Sequence, residues 1–301
     1  MKIAIASGKG GTGKTTVAVN LAQVISGPVQ LLDCDVEEPN CALFLSPEIE
    51  ESETVGIPIP RVDESLCTAC GDCGAFCEFN AIVSFKATPI VFSELCHGCG
   101  GCLKVCPEGA ISEVDRPIGV VEKGFVGDIG FVQGRLNVGE AMSPPLIAAV
   151  KRHSVENGVT IIDSPPGTSC PVIEAVRNCD MVVLVTEPTP FGLEDLVLAV
   201  GAVREMGIPF GVVINRADVG DSRVTNYCNF EKIPVFLEIP NDRRVAESYS
   251  RGQTIIEGVP EMRVLFEELF SEIKKHHGGL ESENDGTGSS ANQRDRLKGA
   301  Q

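Results

Sequence analysis

Apolar residues fall in short, nearly unbroken runs of five or six positions, and these runs alternate with stretches of helical spacing. The first run, Lys2 to Ser7, ends at a glycine-rich loop, and a helical stretch follows from about Lys14 to Ile25. Runs at Val29–Asp33, Val159–Asp163, Met181–Thr186, Phe210–Asn215 and Pro234–Ile239 predict strands. Val120–Leu136 predicts short strands separated by glycines, while Pro144–His153 and Phe191–Met206 predict helices. Met262, Leu265, Phe266, Leu269, Phe270 and Ile273 recur at helical spacing, so an amphipathic helix over Glu261–His277 closes the pattern. Unbroken apolar strands alternating with helices predict an α/β fold with a mostly parallel, doubly wound sheet.

Residues 57–117 break the rhythm. They are rich in Cys and Gly, and Pro58, Pro60 and Pro117 at their ends read as linkers. The expected organisation is one α/β domain over 1–56 and 118–277, with 57–117 inserted. From Gly278 onward Gly, Ser, Asn and charge predominate, which predicts a disordered tail over 278–301. Inside the insertion, Cys67-x2-Cys70-x2-Cys73-x3-Cys77 recurs as Cys96-x2-Cys99-x2-Cys102-x3-Cys106, and Ala81-Ile82 recurs as Ala110-Ile111 at the same offset. A small fold built from two related halves follows.

Composition narrows the classes. The 301 residues are 43% apolar, without Trp, so a sizeable core rests on Val, Ile, Leu and Ala. The formal charge of −17 argues against non-specific nucleic-acid binding, whose affinity comes from cations on phosphates. No apolar run approaches the 18 or so residues of a membrane span. No signal segment precedes the first strand, so a cytoplasmic location is expected. Thirteen Cys in such a chain point to metal ligation rather than disulfides.

Gly8-Lys9-Gly10-Gly11-Thr12-Gly13-Lys14-Thr15 matches G-x-x-x-x-G-K-[ST] in full, after a predicted strand and before a predicted helix. Backbone N–H groups of Gly8 to Thr16 are expected to close around phosphate oxygens of ATP or ADP. Lys14 then reaches the β- and γ-phosphates, and the Thr15 hydroxyl ligates Mg²⁺. A glycine-rich turn without ligand is the alternative. With Lys9, the loop resembles that of the MinD/ParA/nitrogenase iron protein family of P-loop ATPases, which reads K-G-G-x-G-K-[ST]. The resemblance implies an ATP-dependent homodimer in which Lys9 contacts phosphate across the interface. Leu32-Asp33-Cys34-Asp35 to Asn40 resembles that family's first switch, with Asp35 as the candidate to position the attacking water and Asp33 beside it. Ile161 to Gly167 resembles its second switch. There Asp163 is expected to hold Mg²⁺ through water and Gly167 to sense the γ-phosphate. Val213-Ile214-Asn215-Arg216 resembles the base-recognition strand, so Asn215 is expected to read adenine.

The doubled C-x2-C-x2-C-x3-C spacing is that of bacterial two-cluster ferredoxins, in which the fourth Cys of each run ligates the other cluster. That pattern implies two [4Fe–4S] clusters, one on Cys67, Cys70, Cys73 and Cys106 and one on Cys77, Cys96, Cys99 and Cys102. Four-cysteine zinc is the competing reading, but zinc sites do not use three evenly spaced Cys and a fourth, repeated. Pro107 follows Cys106 as the pattern expects, whereas Glu78 follows Cys77, which changes the surroundings of that cluster without changing its ligands.

Cys34, Cys41, Cys179 and Cys228 read as small buried hydrophobes. Cys170 stands seven residues after Asp163, where the nitrogenase iron protein carries a ligand for a shared cluster. The second cysteine such a bridge needs is absent from 134–145. The C-x-x-C pair that Mrp-type iron–sulfur carriers keep is absent as well. As a whole the chain resembles MinD-superfamily ATPases with an inserted ferredoxin domain. The resemblance implies an ATP-gated electron-transfer dimer, with ATP-dependent iron–sulfur or metallocluster assembly as the alternative and a MinD/ParA-like spatial organiser as a third. The partner is accordingly a redox protein or an apo-metalloprotein.

Overall fold

The computed structural model describes residues 1–85 and 87–285, with side chains through Gly278. Among the described residues eleven strands form the framework: β1 (Lys2–Ala6), β2 (Val29–Asp33), β3 (Glu48–Val62), β4 (Ile82–Val83), β5 (Ile90–Val91), β6 (Ile111–Val126), β7 (Ile129–Leu136), β8 (Val159–Asp163), β9 (Met181–Thr186), β10 (Phe210–Asn215) and β11 (Val235–Ile239). Nine of them make one sheet in the order β11-β10-β9-β1-β8-β2-β7-β6-β3. Pairing is parallel from β11 through β7 and antiparallel for β7–β6 and β6–β3. The fold is therefore an α/β P-loop type with a mostly parallel central sheet.

Strand alternation splits the core into two faces. Ala4, Leu32, Ile162 and Leu184 pack under helices α5 (Pro144–Lys151), α6 (Cys170–Val176), α7 (Pro190–Glu205) and α8 (Arg223–Phe230). Ile3, Leu31, Ile161 and Val183 face the other way, under α1 (Lys14–Val24) and α11 (Arg263–Asp285). Residues adjacent in sequence are thus buried on opposite sides, which is why the strands read as unbroken apolar runs. Each fully buried Ile or Leu contributes roughly 1.5–3 kcal/mol relative to exposure. Helices α9 (Arg243–Ser250) and α10 (Ile255–Gly258) lie between β11 and α11. Helix α11 runs eight residues past His277, so the expected tail is helical as far as Asp285, and 286–301 lie outside the described residues.

The insertion differs from expectation at its edges. Pro58, Pro60 and Pro117 are not linker residues: β3 and β6 run on through them, pairing from Glu48↔Phe125 to Val62↔Ile111 with register shifts after Ile49 and after Val55. β7 stops pairing with β6 at Gly119. Beyond that point β3 and β6 leave the sheet as a two-stranded ribbon. Pro58 and Pro60 are tolerated because β3 is the outermost strand and, two residues apart, they fall on one side of it. Val120–Leu136 is likewise one long hairpin rather than several short strands.

Residues 63–110 sit on the end of this ribbon, and the sequence repeat is a repeat of structure. Helices α3 (Asp72–Phe76) and α4 (Gly101–Val105) stand twenty-nine residues apart. So do the left-handed residues Ala69 and Gly98, Gly71 and Gly100, and Asn80 and Gly109. The pair Val62↔Ile111 at the ribbon end has its counterpart in Val91↔Ile82 of the β4–β5 pair. The Phe76 ring lies on Gly101, where any Cβ would collide with it, so the two short helices meet face to face.

Candidate functional site

β1 is flanked by β8 and β9 at the centre of the sheet, and the loop Ser7–Gly13 joins it to α1. Gly13 occupies the N-cap in the left-handed region (φ 97°). A Cβ there would also stand 2.5 Å from Asn215 Nδ2, so the position demands glycine twice over. Asn215, at the end of β10, donates from Nδ2 to the Thr12 carbonyl (2.9 Å). That bond ties the loop to a strand two places away in the sheet.

A cleft of about 590 Å³ opens beside the loop. Gly10, Gly11, Gly13, Lys14, Thr15 and Thr16 form its floor, with Asp35 and Asn215 on its walls. This volume lies within the range of small-ligand sites. Among the other expected residues, Asp163 stands behind Thr15, whose Oγ1 donates to Asp163 Oδ2 (2.6 Å). Lys9 is half-buried and does not line the cleft of its own chain; its carbonyl accepts from Ser7 Oγ (2.5 Å). Gly8 packs against the Asp195 carbonyl of α7. Gly167, left-handed at φ 101°, donates its N–H to the Ser7 carbonyl (3.0 Å), which places Gly167 against the start of the phosphate loop. Pro240, Asn241, Asp242, Val245 and Tyr249 form a further wall. The sequence reading missed it, although residues just past a strand's C-terminal end are where such sheets bind ligands.

Polar atoms around the loop fit a bound nucleotide and Mg²⁺. Thr12 Oγ1, Asp163 Oδ1 and Ser164 Oγ are buried without a hydrogen-bond partner, and such atoms ordinarily have one. Burial raises the pKa of both Asp35 and Asp163, and the charge of buried Lys14 offsets part of that rise. Asp33 accepts N–H bonds from Asp35 (3.2 Å) and Cys41 (3.0 Å). Ligand atoms of Asp33, Cys41 and Asp163 lie within 4.8 Å of one another. Burial, then the two carboxylates, hold the Cys41 thiol well above its ordinary pKa, so it stays S–H and donates to Asp163 Oδ2 (3.4 Å). The oxygens of Thr15 and Asp163 suit a hard cation such as Mg²⁺.

Burial, then the charge of Asp163, raises Asp33 to about 8 and Asp35 to about 7, from 3.8. Between those limits the folded, nucleotide-free chain binds more protons than the unfolded chain, so stability falls as pH rises from about 4 to 8. The melting temperature of nucleotide-free protein in a chelator should therefore drop across that window, and Asp33→Asn should flatten the slope. A melting temperature that climbs from pH 5 to 8 would contradict this.

A phosphate loop at the head of a central helix, under a cleft of this size, defines a P-loop ATPase. The chain belongs to the CobQ/CobB/MinD/ParA nucleotide binding domain family, whose model matches residues 3–255. An uncharacterized protein of Methanocaldococcus jannaschii is 32% identical over 91% of this chain and 97% of its own length. The iron–sulfur cluster carrier protein of Pyrococcus horikoshii is 28% identical, over 93% of this chain and 90% of its own. Among solved structures, the septum site-determining protein MinD of Pyrococcus horikoshii with Mg-ADP shares the fold, with a TM-score of 0.57 and 20% identity over 92% of this chain and 97% of that one. No helix among the described residues is long and apolar enough to cross a membrane.

A second group of residues gathers on the ribbon. One small cavity is lined by Cys67, Cys70, Cys73 and Cys106 together with Val62, Ala110 and Ile111. Another is lined by Cys77, Cys96, Cys99 and Cys102 together with Pro58, Pro60 and Phe76. Each set draws three cysteines from one half of the repeat and its fourth from the other. Backbone N–H groups donate to sulfur at equivalent points: Ala69 to Cys67 (3.4 Å) and Gly98 to Cys96 (3.4 Å), with Ala110 to Cys106 (3.3 Å) besides. N–H donors of this kind orient sulfur that ligates a metal. Cys34, Cys41, Cys179 and Cys228 are all buried, and Cys170 is exposed at the start of α6.

Proposed function

We propose that this chain is an ATP-switched iron–sulfur protein serving metallocluster assembly or delivery. The observation that carries the reading is the partition of eight cysteines into two four-cysteine cavities, on a ribbon rooted in a P-loop ATPase. In this reading residues 57–117 are a ferredoxin-like insertion. Cys67, Cys70, Cys73 and Cys106 hold one [4Fe–4S] cluster, and Cys77, Cys96, Cys99 and Cys102 hold the other. All-cysteine donor sets with N–H···S bonds fit such a group, which when bound supplies one-electron chemistry at low potential. The family relatives named iron–sulfur cluster carrier proteins support assembly or delivery over simple electron transfer.

At the ATPase end, Lys14 and the loop N–H groups hold the phosphates. Thr15 and Asp163 hold Mg²⁺, Asp35 orients water, and Asn215 lies beside the base. Gly167 reports on the γ-phosphate. Lys9, which does not line its own cleft, serves a second copy in an ATP-dependent homodimer.

Electron transfer without loss of iron is the second reading. One feature favours it: because each set borrows a cysteine from the other half, releasing either cluster opens both halves. The two readings separate under anaerobic conditions. Dithionite-reduced protein loaded with labelled iron is mixed with an apo-ferredoxin and, in parallel, with an oxidised holo-ferredoxin, each with and without MgATP. Delivery predicts ATP-dependent appearance of label in the apo-ferredoxin; label that stays on this chain while the holo-ferredoxin is reduced refutes delivery.

A further inference from the structure

One buried cluster closes the first switch at both of its ends. Asp33 ends β2, and Cys41 opens the short helix α2 (Cys41–Leu45) on the far side of the switch loop. Asp33 Oδ2 accepts the Cys41 N–H (3.0 Å), and Asp33 Oδ1 accepts the Asp35 N–H (3.2 Å). Asp163 pairs with Asp33 across β2 and β8, which brings the start of the second switch to the same point. Its Oδ2 accepts from the Cys41 thiol (3.4 Å) and from Thr15 Oγ1 (2.6 Å). All three side chains are shut off from solvent, with Asp33 and Cys41 at 0% exposure and Asp163 at 1%.

From sequence Cys41 reads as a small buried hydrophobe, yet its sulfur faces both carboxylates. The sulfur and one oxygen from each carboxylate lie within 4.8 Å of one another, near enough for one ion to bridge them. One further oxygen, Asp163 Oδ1, is buried without a hydrogen-bond partner. A buried carboxylate oxygen ordinarily has a partner, and two carboxylates buried side by side repel each other when both are ionised. A divalent cation answers both needs. Mg²⁺ takes oxygen donors and leaves the sulfur without a role. Zn²⁺ takes sulfur and oxygen together in a four-coordinate site, and thiolate is the donor that selects it.

We propose that Asp33, Cys41 and Asp163 form a zinc site that competes with Mg²⁺ and holds the ATPase off. The site builds on the P-loop reading of the cleft, whose Asp163 it shares. Thr15 bonds Asp163 and lines the cleft, so it marks the way in. On binding, the Cys41 proton passes to solvent as sulfur bonds to the metal, and no electron moves. A water fills the fourth position. Zinc held there draws Asp163 away from Thr15 and ties both ends of 34–40 to β8. Asp35, inside that loop, then cannot follow the nucleotide.

The test uses the full chain reconstituted with iron and sulfide, so that the eight repeat cysteines are taken. It is incubated without nucleotide in buffered Zn²⁺ under excess Mg²⁺, then read by metal analysis and by X-ray absorption at the zinc K edge. About one zinc per chain is expected, with one sulfur at about 2.3 Å and oxygens at about 2.0 Å. ATP turnover should fall as free zinc rises and recover with a zinc chelator. Cys41→Ser, and separately Asp33→Asn, should raise the zinc concentration that halves each variant's own rate by more than about tenfold, since even groups that only orient a ligand are worth about 10–100-fold. No retained zinc, zinc held without sulfur, or zinc held by four sulfurs alone would overturn the site, as would inhibition that Cys41→Ser leaves unchanged. The spectrum is taken on wild type, so it decides the site even where a variant fails to fold. A chain that hydrolyses no ATP refutes the hydrolysis reading and the inhibition together, and the spectrum still decides where zinc binds.

Discussion

Replacing Lys14 with alanine should reduce ATP turnover by about 10²–10³-fold while leaving the iron content unchanged. A buried, preorganised cation facing developing phosphate charge is worth several kcal/mol in a site shielded from water, and its removal has costs of this order. Lys14 is buried at the floor of the cleft and already acts electrostatically on Asp35 and Asp163. The cysteine sets lie at the far end of a ribbon that runs beyond the sheet, so nothing in their packing depends on the Lys14 side chain. Phosphate release and iron analysis on one preparation check both halves. Light scattering adds the dimer: MgATP should double the mass of wild type, and neither Lys14→Ala nor Lys9→Ala should respond. Turnover that survives in Lys14→Ala would remove the cleft as the site of hydrolysis.

Cys67→Ser should halve the iron, from about eight atoms per chain to about four, and Cys96→Ser should halve it by emptying the other set. Cys67 lines only the cavity at Val62 and Ile111, and Cys96 only the one at Pro58 and Pro60. Serine is a poor ligand for this soft donor set, so a cluster left with three thiolates is expected to be lost. The halves are nevertheless tied, since Cys73, Ile82 and Ile111 form the module's small core with Cys77, Cys102 and Cys106 packed against it. Some loosening of the remaining cluster should show as faster bleaching in air, with ATP turnover unaffected. Two intact clusters in either variant would overturn the ligand sets.

The central sheet was legible because its strands are buried on both faces and its phosphate loop is continuous in sequence. Gly8 to Gly13 sit between β1 and α1, and Lys14 to Thr16 open α1. The cysteine repeat was legible for the same reason, since its offset is a fixed number of residues. The ribbon was not. Glu48 to Thr54 is acidic and almost wholly exposed, so no apolar alternation marks it as strand, and prolines at 58, 60 and 117 pointed to linkers. Its strand character comes from pairing with β6, which is non-local. The wall at Pro240–Tyr249 and the cluster of Asp33, Cys41 and Asp163 were illegible for a related reason. Both depend on how β2, β8 and β11 are placed in the sheet, which no local spacing encodes.

The reading stands on the claim that the ribbon carries two four-iron clusters and that they belong to a P-loop ATPase. Anaerobic iron, sulfide and zinc analysis of the intact chain, with Mössbauer spectra of the same sample, measures this directly. The account predicts about eight iron and eight sulfide per chain, all iron in four-iron cubes, and at most about one zinc, at the Cys41 cluster. Two zinc ions per chain with no sulfide would contradict it.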